Sequence, residues 1–434
     1  MPINTTSTNL NEIGLNISSL SSPNCSNYNN DYSLNLTSHS SFNPIINSLD
    51  SSNDLVTETY TTTTSQNDNF ILGNSYYNSQ GTYNRTSGYG FVNAAAAVAR
   101  AAGQNTFTDV PNLGGNNWGA DQVKAPEAWA QGYTGKGVVV AVVDSGVDYN
   151  HEDLNDNVWT NTKEIAGNNI DDDSNGYIDD IHGWNFVNNN NDAIDRSKTG
   201  HGTHVAGTIA GENNDIGVTG IAYDAQIMPV KVLDDQGTGT YSSIAKGITY
   251  AADNGANVIN LSLGGSYPNA ALEAAIEYAS SKGAIVVMAA GNNSGAAPIY
   301  PARYANNHGL AVGAVDQDGN MAKFSNQAGS NPLPYVTAPG VNIYSTIPGN
   351  KYTSYNGTSM AAPHVSGVVA LMLSANNNLT DAQVRQIVTE TAGDGTQMAS
   401  YSYTTEQNSM FVGSNLYSQS WSNEDDYYNI SQRI

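Results

Sequence analysis

The sequence predicts an α/β domain in which a mostly parallel sheet is flanked by helices, and three observations carry that expectation. Short runs of β-branched and apolar residues recur at 138–143, 227–233, 258–263, 285–288 and 310–315. They are continuous rather than alternating, the pattern of strands covered on both faces. Between them lie stretches of helical pattern at 241–253, 270–281 and 359–374. Strand and helix in alternation imply crossover connections and hence a parallel sheet. A last helix is expected to begin at Thr380, an N-cap with Gln383 three residues on. In such sheets chemistry collects beyond the C-terminal ends of the strands.

The flanks read differently. Residues 1–88 are dominated by Ser, Asn, Thr and Tyr, too polar to offset the entropy of ordering. A short helix is expected over 91–102. We therefore divide the chain into a largely disordered N-terminal segment (1–105), a globular domain (106–393) and a polar tail (394–434). The start lacks the basic and apolar regions of a secretory signal, and no stretch is long enough to suggest a membrane span. One cysteine, Cys25, excludes an internal disulfide. The net charge of −24, from 39 acidic and 15 basic side chains, leaves no basic cluster for nucleic acid. Such acidity either keeps a surface soluble or, where acids cluster, marks bound cations.

Three motifs bear chemistry. Asp144 follows the run 138–143 directly, ahead of Ser145 and Gly146, so a carboxylate stands at the functional edge of the sheet; an ordinary N-cap would look the same. His201 opens the small-residue stretch Gly200-His201-Gly202-Thr203-His204. The pair His201 and His204 has metal-ligand spacing but lacks the glutamate of an H-E-x-x-H zinc site, which leaves His204 a structural histidine. Ser359 stands in Asn356-Gly357-Thr358-Ser359-Met360-Ala361-Ala362-Pro363-His364 at a helix start, where a backbone N–H can face a developing oxyanion. The glycosylation sequon at Asn356 is discounted, because a glycan there would block the site.

These strings, in the order Asp, His, Ser, resemble the subtilisin-like serine proteases (subtilases) over about residues 118–392. The resemblance implies a three-layer fold and a calcium-stabilised serine endopeptidase that acts on polypeptides as a monomer. It places Asp144, His201 and Ser359 in the triad, and through Ala289-Ala290-Gly291-Asn292 it makes Asn292 the side-chain donor of the oxyanion hole. It implies one cleft wall at Ser262, Leu263 and Gly264, and another at Gly237, Gly239 and Tyr241. The first pocket would be lined by Ala290, Gly291, Asn293 and Ile299, with Ile299 narrowing it against large aromatic residues.

The resemblance also implies structural calcium, with one to three ions. A strong site would use Asp153, the Asn214 side chain and the carbonyls of Glu212, Ile216 and Val218, with Asp109 as the N-terminal partner. The longer connection between Asp144 and His201 holds Asp171, Asp173, Asn175, Tyr177 and Asp179 at EF-hand-like spacing, although position twelve is His182 rather than Glu. A solvated acidic loop is the alternative, though carboxylates this close repel unless a cation neutralises them. A weaker site is expected near Ala302, Tyr304 and Asp316. Residues 1–105 do not resemble the family's inhibitory pro-segment; either they are a divergent pro-region, cut near 100–110, or the enzyme folds without one. Two alternatives remain at this stage, a non-catalytic peptide-binding member of the fold and a protease restricted to one precursor.

Overall fold

The computed structural model describes residues 83–393; the polar segments 1–82, with Cys25, and 394–434 lie outside the described residues. The described residues all fall in one compact unit. In chain order the elements are α1 (Ala94–Ala101), α2 (Trp118–Gln122), α3 (Ala125–Trp129), β1 (Val139–Asp144), β2 (Trp184–Asn185), α4 (His201–Ala210), β3 (Gln226–Lys231) and α5 (Tyr241–Asp253). They continue with β4 (Val258–Leu261), α6 (Ala270–Ser281), β5 (Ile285–Ala289), β6 (Leu310–Val315), β7 (Tyr335–Pro339), β8 (Ile343–Ile347), β9 (Lys351–Tyr355), α7 (Thr358–Ala375) and α8 (Asp381–Thr391).

Seven strands form one parallel sheet in the order β2-β3-β1-β4-β5-β6-β7. Its two faces carry separate buried clusters. Val140, Val142, Val287 and Val312 point to the side of α1, α4 and α7, while Ala141, Val143, Met228 and Ile259 point to the side of α5 and α6. A strand alternates its side chains between faces, so runs such as 139–143 must be apolar throughout. Strands β2, β7 and the antiparallel hairpin β8–β9 had no distinctive run in the sequence. In the hairpin the polar Ser345 and Thr346 are buried, their hydroxyls donating to the carbonyls of His204 and Thr203, whereas no residue of β9 is buried.

Helix α7 is apolar and long enough, by composition, to cross a membrane, yet 89% of it is buried inside the domain; it is the core helix. Pro363 sits within it and has no N–H to return to the carbonyl of Ser359 four residues earlier. Ser262 fills that role: its hydroxyl donates to the Ser359 carbonyl at 2.7 Å.

The domain boundary set at 105/106 does not describe this structure. Residues 83–102 pack into the same core as α7 and α8, with Phe91, Val92, Ala95 and Val98 buried. The low polarity of that stretch, already visible as an alanine-rich helix, is the reason.

Candidate active site

Asp144 ends β1 and His201 opens α4. Asp144 Oδ1 accepts from His201 Nδ1 at 2.8 Å and from the Ser145 N–H at 2.7 Å, and both side chains are buried. A carboxylate partner on Nδ1 fixes the proton there, leaving Nε2 as the accepting nitrogen; Nε2 has no hydrogen-bond partner among the described residues. The Ser359 hydroxyl, 8% exposed, donates instead to the Ser262 carbonyl at 3.0 Å.

The first turn of α4 is braced by residues the sequence did not single out. Ser145 Oγ accepts from the Gly202 N–H at 3.0 Å. Buried Asp195 accepts from Thr203 through both N–H and hydroxyl, and from Ser145 Oγ at 3.3 Å. A Cβ on Gly202 would stand 2.1 Å from the Gly146 carbonyl oxygen, so only glycine lets α4 approach the Asp144 turn this closely. Burial pushes Asp195 above the usual carboxylate range. His204 Nε2 lies 3.0 Å from the Ile343 carbonyl oxygen, pinning the β8–β9 hairpin. Burial, reinforced by nearby His201, pushes it down to about 3.

Asn292 lies in the loop after β5. Its Oδ1 accepts from both the N–H and the hydroxyl of Thr358, at 2.9 and 3.0 Å. With the carbonyl end held, the Nδ2 end has a fixed direction. A point one Cβ out from Gly357 is 3.6 Å from Asn292 Nδ2 and 3.6 Å from the Ser359 nitrogen, so the two nitrogens flank Gly357. As the second residue of α7, Ser359 has no intrahelical acceptor for its N–H.

Gly264 and Gly291 both close on Ile299, whose Cδ1 would be 2.4 and 3.0 Å from added Cβ atoms. Ala290 O accepts from the Ile299 N–H at 2.9 Å. Asn326, fully buried and unforeseen, shapes the loop: it accepts from the Asn293 N–H and donates to the carbonyls of Ala290 and Ala297. A lone Asn in a polar stretch gives no sequence signal for that role. On the other wall Gly239 bridges to Leu233, Gly237 takes a φ of +74° at the tip, and Tyr241 opens α5. The Tyr241 hydroxyl donates to the Tyr267 carbonyl at 2.8 Å, joining this wall to the segment that continues from Ser262, Leu263 and Gly264.

The subtilase family model matches residues 135–413. The chain belongs to the subtilase family. It is 45% identical to Subtilisin Savinase of Lederbergia lenta over 275 residues, 63% of this chain and 90% of that protein. It is 45% identical to the M-protease of Shouchella clausii (strain KSM-K16) over 275 residues, again 63% of this chain but 64% of that protein, just under two thirds of its length. Thermitase of Thermoactinomyces vulgaris is 40% identical over 292 residues, 67% of this chain and 94% of that protein.

In this subtilase the expected cation ligands divide. Asp153 is fully buried beside the Tyr352 hydroxyl; Oδ2 accepts from the Val218 N–H at 2.8 Å, while Oδ1 has no hydrogen-bond partner among the described residues. Burial pushes its carboxyl up to about 7 against the Val218 hydrogen bond, with Glu212 and Glu152 adding to the rise. Glu212 and Asn214 stand beside it, Asn214 Nδ2 donating to Glu212 Oε2 at 3.2 Å, and the Asn214 Oδ1 accepts from the Ile216 N–H. An orphaned buried carboxylate oxygen among further oxygens fits a hard cation. Asp109 is paired with Lys124 at 2.6 Å. The N-terminal segment that reaches this region is instead Asn116, which donates to the Gly217 carbonyl at 2.9 Å.

The acidic connection is also rearranged. Asp171 and Asp173 gather with Glu164, their carboxylate oxygens within 4.8 Å of one another. Asp179 is withdrawn, because its oxygens accept the N–H groups of Gly167, Asn168 and Asn169. Asn175 accepts from the Tyr177 N–H and donates to Asp180. The Tyr177 ring packs edge-on against Trp184, Phe186 and Tyr250. The EF-hand spacing therefore describes only the start of the loop; Glu164 lies too far back in sequence to be read as its partner. At the third expected site Ala302 is buried, the Tyr304 hydroxyl exchanges hydrogen bonds with the Asn269 backbone, and Asp316 caps its own turn.

Proposed function

We propose that the protein is a serine endopeptidase in which Ser359 attacks the peptide carbonyl, His201 takes its proton and Asp144 orients the imidazole. The observation that carries this reading is the buried 2.8 Å contact between Asp144 Oδ1 and His201 Nδ1, which leaves Nε2 bare and basic. Serine is a weak nucleophile until such a base accepts its proton. Rotation of the Ser359 side chain away from the Ser262 carbonyl would bring the hydroxyl to that base. The same imidazole then protonates the leaving amine, while Asp144 orients and stabilises the imidazolium. Asn292 Nδ2 and the Ser359 N–H are the donors to the developing oxyanion.

Extended polypeptide would lie between the walls carrying Gly239 and Gly264, pairing through main-chain hydrogen bonds. Ile299, wedged between Gly264 and Gly291, favours medium apolar residues before the cut. Calcium fits the pocket of Asp153, whose ionised carboxylate, Asn214 oxygen and neighbouring carbonyls would hold it; Asp171, Asp173 and Glu164 are the second candidate set. Calcium there supplies structural charge neutralisation, not chemistry.

A library of peptides varied at the residue before the cut tests the whole reading. The full chain should hydrolyse it, with preference for medium apolar residues, and Ser359→Ala should abolish cleavage. No hydrolysis by the wild type would favour the peptide-binding alternative; best cleavage after Phe or Tyr would remove the role given to Ile299.

A further inference from the structure

The family match begins at residue 135, yet the core contains a limb that precedes it by some fifty residues. The limb lengthens the sheet and covers its end. The Val92 N–H donates to the Thr337 carbonyl and the Thr337 N–H to the Gly90 carbonyl, each at 2.9 Å, so the limb lies along β7 on the sheet's outer edge. Phe91 also exchanges hydrogen bonds with Gly393, which ties the limb to the end of the described chain. Beyond it, α1 lies on α7 and α8: Val98 and its neighbouring alanines join the cluster that includes Val368 and Met372. Asn376 donates to the Ala101 carbonyl at 3.2 Å, and Arg100 pairs with Glu390. Without the limb, β7 would present an unpaired edge to solvent. The apolar face of α7, the helix whose first turn holds Ser359, would be exposed as well.

We propose that residues 83–102 are a permanent limb of the folded protein that holds α7, and hence Ser359, in place, and that any maturation cut falls before Tyr83 rather than at 100–110. A removable pro-segment docks on a finished domain; this limb supplies a sheet edge and part of the core. The position of the cut rests on the protease reading, but the retention of the limb does not.

Three measurements on the full chain test this. Intact mass and N-terminal sequencing of the wild type after incubation should give either the uncut chain or a start at or before Tyr83; an active form starting between 103 and 118 and lacking the limb would overturn the proposal. In Ser359→Ala, which cannot process itself on the protease reading, hydrogen exchange should protect the N–H groups of Val92 and Ala94 as strongly as those of β6; exchange at the rate of a free segment would overturn it. In the same variant, a recognition sequence for an added specific protease is placed after Gly103. After cutting, the limb should co-elute with the remainder on gel filtration and the melting temperature should stay within a few degrees. Release of the limb with melting unchanged would overturn the proposal. If peptides are never cleaved but exchange shows the protection, the protease reading fails and the limb stands.

Discussion

Ser262 and Ser359 exchange hydrogen bonds: the Ser262 hydroxyl donates to the Ser359 carbonyl at 2.7 Å, and the Ser359 hydroxyl donates to the Ser262 carbonyl at 3.0 Å. The first bond replaces the donor that Pro363 lacks, so the loop after β4 completes the first turns of α7. Ser262→Ala would leave a buried carbonyl without that partner, at a cost of about 1–3 kcal/mol. Urea unfolding in the Ser359→Ala background should show a lower midpoint with an unchanged slope; an unchanged midpoint would mean the bond contributes nothing.

Asn292 is held by Thr358 through its Oδ1, and its Nδ2 lies beside Gly357, as does the Ser359 nitrogen. Removing one oxyanion donor in subtilisin itself lowers kcat by about 10²–10³. Asn292→Leu should do the same here with little change in KM. Thr358→Val, which keeps the backbone N–H bond and removes only the hydroxyl, should have a smaller effect on kcat. Equal loss in kcat and rise in KM for Asn292→Leu would instead point to ground-state binding.

Asp153 gives a prediction whose sign depends on calcium. With no cation, a buried carboxylate lacking a partner on Oδ1 is unfavourable, so Asp153→Asn should leave melting unchanged or raise it in chelator. In millimolar calcium the wild type should melt several degrees higher than in chelator, and Asp153→Asn should lose most of that gain. Melting of the wild type indifferent to chelator would contradict the calcium assignment.

Two buried histidines set an acid limit on stability. Burial pushes His364 down to about 4, with the Met360 carbonyl opposing, and His204 down to about 3. Both lie below the ordinary value of about 6.5. The unfolded chain therefore binds protons as pH falls below about 6.5 while the folded chain does not. Stability is complete above that pH and is lost as pH falls toward 4, at up to about 1.4 kcal/mol per pH unit for each histidine. Melting of Ser359→Ala measured from pH 7 to 4.5 should show this slope, and His364→Gln should reduce it even where its melting temperature is lower throughout.

Much of the domain was legible in the sequence because its physics is local. The doubly covered strands β1, β5 and β6 must be apolar along their length, and α5 and α6 lie where the pattern placed them. The motifs around Asp144, His201 and Ser359 were legible because each combines a chemical group with small neighbours that allow close approach. What escaped depends on contacts between distant segments. Glu164 joins Asp171 and Asp173 only through the fold of the loop, Asp109 is claimed by Lys124, and Asn326 acts through backbone groups about thirty residues away. The limb at 83–102 was partly visible as a helix, but its partners β7, α7 and Gly393 lie at the other end of the chain.

Labelling of Ser359 tests the central claim most directly. The full chain, treated with a sulfonyl fluoride directed at activated serines, should gain the mass of one adduct, mapped by peptide mass spectrometry to Ser359, with peptide hydrolysis lost in proportion. Ser359→Ala should gain none, and His201→Ala should label far more slowly, because Ser359 then lacks its base. Hydrolysis that persists in Ser359→Ala, or a stoichiometric adduct on another residue, would contradict the account.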